Sequence, residues 1–107
     1  MSGFEERKNK NEQKFVLEAQ QEFKAEARRN KFLGQWAAGL FSMDEEATKA
    51  YILSVITADM EEAGDDDVFR KMKADFEEQG VEMSDASLRE KMDQFMIQAR
   101  EDIMNQG

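Results

Sequence analysis

No proline occurs anywhere in this chain, so nothing in it removes a backbone donor or forces a helix to kink. Glycine is scarce as well, at six in 107 residues, while Ala, Glu, Lys, Gln, Met and Leu are plentiful. Local propensity therefore favours helix almost throughout, and strand is hard to place. A chain of this length fits one domain with one modest core.

Apolar spacing turns that propensity into elements. Phe15, Ala19, Phe23 and Ala27 recur every four residues, and Leu33, Trp36 or Ala37, and Leu40 continue the stripe. This predicts a long first helix from Phe15. Ser42-Met43-Asp44-Glu45 has the spacing of a capping box, so a second helix starts there, with Ala47, Tyr51, Val55 and Ala58 on its inner face. Gly64 is expected to close it in a left-handed cap, and Asp65, Asp66 and Asp67 to cap the next. The third helix carries Val68, Phe69, Met72 and Phe76 inward and stops at Gly80. Ser84 or Ser87 can cap the last, where Leu88, Met92, Phe95, Met96, Ala99 and Ile103 keep helical rhythm. Four helices with one apolar stripe each bury those stripes together, so the expected fold is all-α, a four-helix antiparallel bundle.

The polar N-terminus stands apart. Residues 5–14, EERKNKNEQK, carry no apolar side chain, so alone they cannot offset the entropy of ordering them. On a helix, however, Phe4 and Phe15 return to nearly the same face, with Arg7, Lys10 and Lys14 about a quarter turn away. The reading is therefore a mobile segment over residues 1–17, continuous with the first helix, and a bundle over 18–107. Charge divides the chain similarly. Residues 1–31 hold eight Lys or Arg against six Asp or Glu, and the remainder seven against eighteen. A body so acidic argues against nucleic acid as partner and for protein.

Chemistry is hard to find. Without His or Cys, the usual general base, nitrogen and sulfur metal ligands, and Ser-His or Cys-His nucleophiles are excluded together, so neither catalysis nor a cofactor is expected. The lack of Cys suits a reducing compartment such as the cytosol. The longest near-apolar stretch, Phe32 to Phe41, is too short to span a bilayer. Asp59 to Asp67 holds six acids in nine residues, but an EF-hand begun at Asp65 would need an oxygen ligand at Phe69 and Gly at Arg70, so capping is the better reading. Arg28, Arg29 and Lys31 take successive sides of the first helix. They either pair with acids on a solvated face or, with Lys24, grip the phosphates of an adenine nucleotide.

Three strings carry a resemblance: Phe23-Lys-Ala-Glu-Ala-Arg-Arg-Asn-Lys31 continuing to Leu33-Gly34 and Trp36-Ala-Ala38, Ala58-Asp59 continuing through Glu61 to Lys71, and Arg89-Glu-Lys-Met92. Through them the sequence resembles the zeta-type inhibitor subunit of bacterial F-type ATP synthases over nearly its whole length. The resemblance implies a regulator of ATP hydrolysis that is itself no enzyme. It implies a cytoplasmic protein working at the inner membrane's cytoplasmic face without inserting into it, and monomeric when free. Its partners would be the alpha, beta and gamma subunits of the synthase head. An N-terminal region, here about Ser2 to Ala19, would enter a catalytic alpha/beta interface beside the gamma shaft and block hydrolytic rotation. The expected contacts are Phe4, Arg7, Lys10, Lys14 and Phe15. Two alternatives stand beside this: a small adenine-nucleotide-binding module using Lys24, Arg28, Arg29 and Lys31, and a helix bundle that self-associates through exposed Met and Phe.

Overall fold

A computed structural model describes residues 19–61 and 65–106. Among them lie four helices and no strand: α1 (Ala19–Leu40), α2 (Glu45–Asp59), α3 (Asp66–Gln79) and α4 (Asp85–Gln106). The all-α bundle is as expected. α1 is the central element, packing along α2 on one side and α4 on the other, while α3 bridges α2 and α4.

Each boundary has a local cause. α1 ends where Ser42 takes a left-handed conformation, φ 59°, and the Met43 amide donates back to the Ala38 carbonyl at 3.0 Å. The predicted start of α2 is right, but the cap is Asp44 rather than Ser42: its Oδ1 accepts from the Ala47 amide at 2.8 Å. Ser42 is occupied in reversing the chain. α2 closes at Asp59 through Met60, which is right-handed and donates its amide to the Thr57 carbonyl at 3.1 Å. The cap expected of Gly64 lies outside the described residues. Gly80 does close α3 as predicted, with φ 72°, while its amide and that of Val81 bond to Glu77 and Phe76 carbonyls. Of the two serines offered for α4, Ser84 is the cap, its Oγ accepting from the Ser87 amide at 3.0 Å.

All four helices contribute to the main core. Leu33 and Ala37 meet Tyr51 and Val55, Val68, Met72 and Phe76, and Leu88 and Met92. The half-buried Trp36 packs on this core with its ring centroid 5.5 Å from Phe76 and 6.3 Å from Phe95. A smaller cluster of Ala25, Ala99 and Ile103 joins the other ends of α1 and α4. Tight approach of α1 and α2 is set by Gly34, where a Cβ would sit 2.9 Å from the Ile52 Cα.

The stripe read along α1 needs correction at both ends, since Phe23 is 63% exposed and Leu40 is exposed too. Phe23 lies about 80° round the helix from Leu33, at about 100° per residue, while the buried face runs through Ala25, Arg29, Leu33 and Ala37. Leu40 sits at the helix end. Ala47, placed on the inner face of α2, is exposed as well, because α2 points Tyr51 and Val55 inward and Ala47 belongs to its first turn.

Candidate functional site

The residues expected to touch a partner, Phe4, Arg7, Lys10, Lys14 and Phe15, lie outside the described residues. What can be described is the helix into which they lead. The N-terminal half of α1 is held to the bundle by a polar lock.

Arg29 is at the centre of that lock and is 1% exposed. Its position follows from spacing, because Arg29, Leu33 and Ala37 are four residues apart and share the buried face. A guanidinium there must be paired and saturated. Nη1 donates to Asp65 Oδ1 at 2.8 Å, Nη2 to Asp59 Oδ1 at 3.4 Å, and Nε to Asn30 Oδ1 at 2.9 Å. The buried Asn30 in turn donates from Nδ2 to Asp59 Oδ2 at 3.0 Å. α1 is thereby tied to the end of α2 and the start of α3, across the corner formed by the acidic run. No buried side-chain nitrogen or oxygen among the described residues lacks a partner.

The role read for Asp65 changes accordingly. It precedes α3 but makes no side-chain capping bond, because its carboxylate is turned to Arg29. No cluster of three or more candidate metal ligands occurs among the described residues. On the other flank, Arg100 of α4 grips Glu22, with Nη2 to Oε2 at 2.7 Å and Nε to the same carboxylate at 3.2 Å. Nearer the middle, Arg28 pairs with Asp102 at 3.4 Å. Glu26 lies among these groups. Burial first, and then Asp59, push its carboxyl above the usual range, with Arg29 pulling the other way.

Of the four residues offered for phosphate, three come together. Lys24, Arg28 and Lys31 line one open groove of about 500 Å³ between α1, α2 and α4, with Phe32, Ile56 and Asp102. Arg29 does not join them; it faces the corner. Sequence reasoning missed that Arg29 is a structural residue. The available signal was a cation in register with Leu33, with a surplus of acids waiting at a helix corner.

The fold and lock together define a class: a small helix bundle whose first helix is clamped by charge along its N-terminal half. Within that class, the chain belongs to the ATPase inhibitor subunit zeta family, whose model matches residues 1–102. A structure solved by solution NMR is similar, at 38% sequence identity and a TM-score of 0.67, over 79% of this chain and 96% of that one. The search of curated proteins finds no match. Family membership gives the chain the role of an ATPase inhibitor. None of the described helices is long and apolar enough to cross a membrane.

Proposed function

We propose that this chain restrains ATP hydrolysis by the F-type ATP synthase. It does so by inserting residues 1–17 at a catalytic alpha/beta interface beside the gamma shaft, where Phe4 and Phe15 bury and Arg7, Lys10 and Lys14 meet carboxylates. The observation that carries this reading is the lock on α1. An inhibitor that stops a rotating shaft must transmit force from its inserted segment to a rigid body. Here the helix continuing from that segment is tied to three other helices by Arg29, Arg28 and Arg100. Family membership supports the reading.

State selectivity follows from the segment's composition. Ordering a polar stretch costs about 1–2 kcal/mol per residue in backbone entropy, so binding needs a groove already formed in one rotary state. A ligand shifts a conformational equilibrium only through its preference between states, so such a segment opposes one direction of rotation. The protein would work in the cytoplasm, as a monomer when free.

Deleting residues 2–17 tests the proposal. The shortened chain should keep the far-ultraviolet circular dichroism of a folded bundle and lose its effect on ATP hydrolysis by purified synthase. Undiminished inhibition by that chain would overturn it. A second reading, an adenine nucleotide held in the groove of Lys24, Arg28 and Lys31, is favoured by their convergence beside Phe32. Amide shifts of these residues on titration with ADP or ATP would support it, and no shift at millimolar nucleotide would dismiss it.

A further inference from the structure

α1 is held to the bundle in two different ways along its length. From Leu33 onward the hold is apolar: Leu33 and Ala37 belong to the main core that all four helices share, and Trp36 packs on it. Across residues 19–31 the one fully buried apolar side chain is Ala25, in company with the buried Arg29 and Asn30. Its cluster is small, with Ala99 and Ile103 from α4 and with Phe32 and Met96 at the edge. Charge supplies much of the hold there: Glu22 to Arg100, Arg28 to Asp102, and Arg29 to Asp59 and Asp65.

The two kinds of attachment differ in what opening them costs. Exposing the main core returns nothing, because apolar side chains are worse off in water than in the fold. Opening an ion pair gives both ions back their hydration, and for a buried pair that recovery offsets much of the lost attraction. Arg29, 1% exposed, recovers the most. The side chains of Arg100, Glu22, Arg28 and Asp102 are between 28% and 39% exposed, so water already screens those two pairs.

We infer that residues 19–31 of α1 and 96–105 of α4 form one unit that opens by itself while the main bundle stays folded, and that the ion pairs set how often it opens. Contiguous units of this kind open at free energies below that of global unfolding. The boundary follows from the packing. In α1 it lies between Asn30 and Leu33, and in α4 between Phe95, which packs on the main core, and Met96, which packs on the small cluster. Opening releases Asp59 and Asp65 from Arg29, but α2 and α3 remain anchored in the main core by Tyr51, Val55 and Val68.

A load applied through residues 1–17 reaches this unit before it reaches the main core. The ion pairs, rather than the apolar packing, therefore set the load at which α1 parts from the bundle. That consequence rests on the proposed function; the opening itself does not, and it is read on the free chain.

Amide hydrogen exchange of the full chain, followed by NMR at rising urea concentrations below the unfolding transition, tests the inference. Helical amides bond four residues back, so those of Ala25, Arg29, Asn30 and Ile103 report on the unit and those of Ala37, Ala38 and Met92 on the main core. The first set should share one protection factor, at least about tenfold below that of the second, and should lose it with urea on a shared and shallower slope. Arg100→Gln, at a half-buried position, should cut the shared protection about three- to fivefold and leave its slope unchanged. Equal protection and equal slope in the two sets would mean a single cooperative body and overturn the inference. Protection that climbs residue by residue from Ala25 to Asn30 without a urea slope would mean fraying from the helix end, with the same consequence. Protection in Arg100→Gln within about 1.5-fold of the parent would overturn the part given to charge. Inhibition of ATP hydrolysis is measured in none of these experiments, so failure of the proposed function and failure of this inference are read separately.

Discussion

Replacing Asp59 with Ala should be among the most damaging changes available outside the apolar core. Asp59 is 11% exposed in its side chain and accepts from both Arg29 and Asn30, one bond at each oxygen. Removing it leaves a buried guanidinium with Asp65 as its only acid, and leaves the Asn30 amide without an acceptor. An unsatisfied buried donor costs about 1–3 kcal/mol, and breaking a buried ion pair about 3–5 kcal/mol. Asp65 and the Asn30 Oδ1 still hold Arg29, so the lower end applies and Asp59→Ala should cost about 3 kcal/mol. Asp65→Ala should cost about 1 kcal/mol, although its contact with Arg29 is the shorter one. Its carboxylate is 49% exposed, and solvent already screens what it contributes. Urea unfolding followed at 222 nm gives both values, provided the slope of free energy against denaturant stays that of the parent. If Asp65→Ala proved the costlier of the two, or Asp59→Ala cost under about 1 kcal/mol, burial would not be setting the strength of this lock.

Other perturbations probe the remaining contacts. Gly34→Ala places a Cβ 2.9 Å from the Ile52 backbone. The overpacking penalty of about 1–3 kcal/mol should outweigh the gain of up to about 1 kcal/mol in helix propensity, lowering the melting temperature. Tyr51→Phe removes a 2.8 Å bond to Asp75, but Lys71 still holds that carboxylate at 2.8 Å, so the loss should be about 1 kcal/mol by denaturant titration. Glu26 has a raised carboxyl pKa, chiefly from burial, so the folded state holds its proton more tightly than the unfolded one. Its contribution is neutral below the unfolded value, and stability is lost as pH rises through the folded value. Glu26→Gln should therefore stabilise the protein at neutral pH and lose that advantage toward pH 4; an advantage that grew on acidification would contradict the assignment.

The bundle was legible in the sequence because its information is periodic and local. Val68, Met72 and Phe76 at helical spacing, Gly80 at a left-handed cap, and Leu88, Met92 and Ala99 along α4 need no knowledge of what they face. The lock was not legible, because one charge among several becomes structural only through a partner far along the chain. Arg28, Arg29 and Lys31 are chemically alike and sit side by side, yet only Arg29 shares the face of Leu33, and only tertiary packing brings Asp59 and Asp65 to it. The acidic run reads locally as capping, which Asp66 and Asp67 fulfil in the first turn of α3, while Asp59 and Asp65 serve Arg29 at a distance. Phe23 errs in the opposite direction: helical spacing relates it to Ala27, but the six residues from Ala27 to Leu33 put that line about 120° out of register, so it does not share the buried face of Ala25, Arg29, Leu33 and Ala37.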